Sequence, residues 1–158
     1  MSKASTNFLK ISVLLIGLAV LLICIFLLPW LANYIANMYP EFAHLQYPIL
    51  IGVYLTVIPF FIALYEAFRL LRFIERGEAF SELAVFSLGR IKSSAIAIFV
   101  LYIVGIIYLI TQSALHPSIA LVGIVIVFAT IVIYVFTTVL QEVLKSALDI
   151  KNENDLTI

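Results

Sequence analysis

Arg69–Lys92 reads RLLRFIERGEAFSELAVFSLGRIK and separates two pairs of long apolar runs. It carries five of the nine basic residues, and the other four, Lys3, Lys10, Lys145 and Lys151, lie toward the chain ends. The flanking runs carry no Asp, Glu, Lys or Arg: Ile11–Trp30 and Pro48–Tyr65 before it, Ser93–Thr111 and Ser118–Leu140 after it. A helix crosses the roughly 30 Å hydrocarbon core in about 20 residues. Each run is therefore a membrane span, and the stretch between the second and third is a charged hairpin. The expected fold is all-α: one integral membrane domain over residues 1–158, a four-transmembrane-helix bundle with a hairpin at 69–92 and a tail at 141–158.

Composition agrees. The chain is 65% hydrophobic and 11% charged, against about 25% charged for a soluble domain. A mean hydropathy of +1.21 identifies lipid as the solvent. The formal net charge is zero, so direct nucleic-acid binding is not expected. Cys24, the single cysteine, lies within the first apolar run and reads as a small packed hydrophobe.

Cytoplasmic flanks of spans are enriched in Lys and Arg. The segments before the first span and after the fourth hold two basic residues each, the central hairpin holds five, and the loops at 33–47 and 112–117 hold none. The expected placement is a multi-pass protein of the cell membrane with both termini in the cytoplasm. Helices two, three and four then extend beyond the bilayer on that side. Eight of the nine acids lie there too, so the face is mixed, and Arg69, Arg72 and Arg76 read as ordinary lipid anchors.

Local signals divide the chain further. Gly17 and Ala19 are small enough to admit a neighbouring helix. Trp30, Tyr34, Tyr39, Phe42 and Tyr47 form an interfacial belt around a turn near Pro40. Pro48 suits a first helical turn. Pro59 lies mid-span and frees a carbonyl near Leu55, which Thr56 or a neighbouring helix can satisfy. Glu66 and Arg69 are three apart and can pair on one helix face. Gly77 is placed to end that helix, and Ser81 to cap the next, with Glu82 in its first turn. Ser93, Ala97, Leu101 and Gly105 form a four-spaced stripe for close helix contact. Gln141–Ile150 continues the fourth helix, with Glu142–Lys145 and Lys145–Asp149 spaced to pair, and the asparagines beyond suit a helix stop.

Reactive constellations are missing from the sequence. No acid, base or histidine stands near a span centre, where ion pathways place them. The mid-span polar atoms are hydroxyls, on Tyr54, Thr56, Tyr102, Tyr108, Thr130 and Tyr134, and are expected to bond between helices. There is no Gly-rich phosphate loop, zinc-binding HExxH or GxSxG nucleophile. His44 and His116 share the outer side without a cysteine or clear carboxylate partner. No enzyme, cofactor or metal is expected.

Two short motifs, Gly77-Glu78-Ala79-Phe80-Ser81-Glu82 in the hairpin and Glu153-Asn154-Asp155-Leu156-Thr157-Ile158 at the end, add a resemblance. With the four-span plan, the chain resembles a prokaryotic membrane family catalogued as domain of unknown function 2975. That family has no established activity, so the resemblance carries over no catalytic residue. Its genes often adjoin one for a small helix-turn-helix regulator, which implies a cytosolic partner of that kind. The expected function is an accessory or sensory membrane protein. Its candidate partner surface comprises Glu66, Arg69, Arg72, Arg76, Phe80, Glu142, Lys145, Asp155 and Ile158. The alternative is a small transporter or channel subunit, for which four spans would need a homo-oligomer to enclose a pore.

Overall fold

The structure is a computed structural model and describes residues 2–156. Its helices are α1 (Lys3–Leu22), α2 (Leu28–Met38), α3 (Gln46–Glu75), α4 (Glu82–Thr111) and α5 (Pro117–Leu156), with no strand among the described residues. A π-helical turn, Ile23–Leu27, joins α1 to α2 without a break, and a 3₁₀ turn, Pro40–Leu45, leads into α3. Four rods result, each long and apolar enough to cross a membrane: Lys3–Met38, Pro40–Glu75, Glu82–Thr111 and Pro117–Leu156.

The first rod starts earlier and ends later than its apolar run. Ser2 caps it, its hydroxyl accepting from the Ser5 amide at 3.2 Å, and helix persists to Met38. The π turn follows from Pro29. The Leu28 amide donates five residues back, to the Ile23 carbonyl. The Cys24 carbonyl would next look to residue 29, but proline has no N–H. Tyr54 of α3 fills the gap, its hydroxyl donating to the Cys24 carbonyl at 2.7 Å.

Both hairpin signals hold. Gly77 is left-handed at φ 73°, and the Gly77 and Glu78 amides donate to the Ile74 and Phe73 carbonyls at 3.2 and 2.8 Å. These are the two bonds of a Schellman ending. Ser81 accepts from the Ala84 amide at 3.2 Å. The loop after α4 repeats the ending without glycine: Ser113 takes φ 54°, and the Ser113 and Ala114 amides donate to the Ile110 and Leu109 carbonyls.

Close backbone approach follows chain order: α1 on α3, then α3 on α4, then α4 on α5. Buried positions recur every seven residues. They are Pro59, Glu66 and Phe73 on α3, Ser87 and Ser94 with Leu88 and Ala95 on α4, and Gly123, Thr130 and Thr137 on α5. A seven-residue repeat keeps one seam facing its neighbour at a shallow crossing angle. This seam replaces the expected four-spaced stripe. Ser93 is exposed, and a Cβ on Gly105 would meet nothing within 4 Å. Gly123 is the close approach instead, where an added Cβ would stand 3.0 Å from Ile106 Cδ1. Gly17 faces α3 as expected, toward Phe61 and Leu64, whereas Ala19 is exposed.

The fold is apolar outside and polar within. Phe26, Phe128 and Phe136 are about two-thirds exposed, while Thr6, Thr56, Glu66, Ser87, Ser94, Thr130 and Thr137 are buried. Lipid satisfies the outer surface, and small hydroxyl residues let the backbones approach. These hydroxyls mostly serve their own helix. Thr56 donates to the Val53 carbonyl, rather than to the one freed near Leu55, and Thr130 to that of Val127. Of the mid-span hydroxyls expected to bridge helices, Tyr54 does so.

Candidate functional site

The loops sort the structure into two ends. At one, Lys10 of α1 pairs with Glu75 of α3, and the Gln141 side chain of α5 donates to the Val85 carbonyl of α4 at 3.2 Å. At the other, His44 Nε2 lies 3.2 Å from Gln112 Oε1. His116 is taken up locally: Nδ1 accepts from the Ser118 amide at 3.2 Å, a cap for the first turn of α5.

The charged end holds the least ordinary group in the structure. Glu66 is wholly buried, at 0% exposure. It sits on the seven-residue seam of α3, so helix geometry directs it at α4 rather than at solvent. Arg69, one turn along, places Nη1 3.3 Å from Oε2. Arg90 of α4 reaches across and places Nη1 3.4 Å from Oε1. Charge-assisted hydrogen bonds are usually about 2.7–2.9 Å, so both contacts are loose ion pairs. They are also what offsets the desolvation of the carboxylate.

The two arginines differ. Arg69 lies near two rings, 5.9 Å from the Tyr65 centroid and 5.5 Å from that of Phe73. Such contacts favour a cation over an aromatic face. Arg90 has the buried carboxylate on one side and keeps 46% of its side chain exposed. One carboxylate between two guanidinium groups leaves a unit of positive charge. Ser87, one turn before Arg90, is buried with its hydroxyl unpartnered among the described residues. Beyond Arg90, Lys92 lies 5.0 Å from the Tyr134 ring centroid and ties α4 to α5.

The candidate surface residues therefore separate. Glu66 belongs to the interior and presents no carboxylate to a partner, and Arg69 is half-buried beside it. Arg72, Arg76 and Phe80 are exposed around the hairpin. Glu142, Lys145 and Asp155 are exposed on α5, while Ile158 lies outside the described residues. The helix does not stop at the asparagines; it runs through Asn152 and Asn154 to Leu156. Gln141 is level with Val85, so Asp155, 14 residues further, stands about 21 Å along the axis. The end of the tail is therefore well beyond the hairpin rather than beside it. Arg90 and Gln141, which join α4 to its two neighbours, are functional candidates that sequence spacing does not single out.

Residues 30–158 match the family described as "Protein of unknown function (DUF2975)". The chain belongs to this family. It is also 48% identical over 160 residues, covering all of both chains, to a protein of Bacillus subtilis (strain 168) described as "Uncharacterized membrane protein YoaS". No solved structure matches. This DUF2975 protein is thus an integral membrane protein with four candidate spans, in a family whose description gives no activity.

Proposed function

We propose that this DUF2975 protein is an accessory or sensory membrane protein that engages a cytosolic partner through its charged end. Both termini and the hairpin then lie in the cytoplasm, the placement that the distribution of basic residues favours. The observation that carries the reading is the length of α5. Its 40 residues make a rod of about 60 Å, roughly twice the hydrocarbon thickness. The end of that rod exposes Glu142, Lys145 and Asp155, polar residues that no span needs. A small helix-turn-helix regulator is the partner class that the family resemblance suggests. The test places a photo-crosslinking side chain at Phe80 in native membranes and compares full-length protein with a chain ending at Leu148. The reading expects a cytosolic adduct that the truncation abolishes. Capture unaffected by truncation, or crosslinks confined to lipid, removes the partner role.

A transporter or channel subunit is the second reading, and burial of Glu66 favours it. Ionisable groups inside spans commonly mark ion paths. Flux through liposomes holding the purified protein, with Glu66→Gln as control, separates the two. Solute movement that depends on Glu66 would favour transport, and a silent membrane the accessory role.

A further inference from the structure

We propose that Arg90 and the groove beside it form a site for one anionic phospholipid. The groove has a volume of about 420 Å³ and is lined by Val57, Ile58, Phe61, Ile62 and Tyr65 of α3, with Arg90 of α4. Every lining side chain but Arg90 and the Tyr65 hydroxyl is wholly apolar. Tyr65 and Val57 are eight positions apart, or about 12 Å of helix, running from the charged end toward the middle of the span. A cation above a descending apolar channel matches a phospholipid: phosphate at the guanidinium, acyl chain along α3.

Charge supplies the second argument. Glu66 is the carboxylate within ion-pair distance of both Arg69 and Arg90 among the described residues. It neutralises one of them. The aromatic rings beside Arg69 partly accommodate its charge, whereas Arg90 faces the groove. An uncompensated cation at the edge of a low-dielectric slab draws an anion. The planar guanidinium fork suits phosphate oxygens. Because the seam holds Glu66 inward, Arg90 stands between that carboxylate and the groove, with nearly half of its side chain left exposed to meet a headgroup. The inference is independent of the cytosolic-partner reading.

The test is native mass spectrometry of the full chain purified in detergent, with phosphatidylglycerol and phosphatidylcholine of matched acyl chains added in equal amounts. Phosphatidylglycerol should be retained about fivefold better, the discrimination expected of one basic residue at a lipid headgroup. Arg90→Gln should erase that preference. Ile58→Trp, which fills the groove while leaving Arg90 in place, should lower retention of both lipids by a similar factor. This second variant keeps the test decisive should Arg90→Gln fail to fold. Inorganic phosphate in excess should not displace the lipid. Equal retention of the two lipids, an unchanged preference in Arg90→Gln, or wild-type retention in Ile58→Trp would each overturn the proposal. So would complete displacement by phosphate, which would assign the site to a soluble anion.

Discussion

The two ends of the bundle solve the same problem with different chemistry. At the charged end, adjacent helices are joined by ion pairs: Lys10 with Glu75, and Glu66 with Arg90. At the other, an imidazole and an amide do the joining, His44 with Gln112, while Trp30 and Tyr34 stack within α2 with centroids 5.5 Å apart. Between them Tyr54 repairs the backbone at the π turn. The difference teaches where this fold concentrates its sensitivity. When an exposed imidazole–amide contact separates, water or lipid headgroups take its place at little expense. A carboxylate buried at 0% exposure has no such substitute.

The sharpest way to break the contrast is Glu66→Gln. It leaves two guanidinium groups facing one another across α3 and α4. Removing one partner of a fully buried pair typically costs about 3–5 kcal/mol. Here the arginines are 26% and 46% exposed, so screening reduces the expected loss to about 2–3 kcal/mol. His44→Ala at the opposite end should cost less than about 1 kcal/mol. Unfolding in mixed micelles, followed by far-ultraviolet circular dichroism, compares the two.

Next in size is Gly123→Ala. Its methyl would meet Ile106 Cδ1 at 3.0 Å, and overpacking of this kind costs about 1–3 kcal/mol. Ile106→Val should relieve most of it in the double variant, while Gly105→Ala, with open space around it, should be neutral or stabilising. The paired helix endings offer a smaller and signed comparison. Gly77→Ala should destabilise by about 1 kcal/mol, because a Cβ is strained in the left-handed region. Ser113→Gly should stabilise by up to a similar amount for the same reason. Thermal unfolding of both variants checks the opposite signs. Smallest is Tyr54→Phe, which strands the Cys24 carbonyl. Polar contacts between membrane helices average about 0.6 kcal/mol, and the loss should shrink when Pro29→Ala restores a backbone donor.

The spans, the hairpin and its caps are readable in the sequence because each is a local signal. The charge-free runs on either side of the hairpin are bounded by Glu66 and Lys92, Gly77 ends a helix and Ser81 starts one. Spacing alone also pairs Glu66 with Arg69. The contact with Arg90 is not readable, because it depends on the register between two helices joined by a turn. The same limit explains the small-residue stripe. Ser93 and Gly105 suit a four-spaced seam, but Glu66, Ser87 and Thr130 share a seven-spaced one, and register chooses between them. Asn152 and Asn154 suggest a helix stop, yet each is only mildly unfavourable within a helix, and a long rod already nucleated carries through them. The π turn has a visible cause in Pro29, but its companion, Tyr54, comes from another helix.

A double-mutant cycle between Glu66 and Arg90 tests most directly whether a buried ionic link joins α3 to α4. Unfolding free energies would be measured for the wild type, Glu66→Gln, Arg90→Gln and the double variant in one lipid–detergent mixture. The link predicts that the double variant is less destabilised than the sum of the singles, with a coupling of about 1–2 kcal/mol. Strict additivity would mean that the two side chains do not act on one another, and that Arg69 alone answers the buried carboxylate.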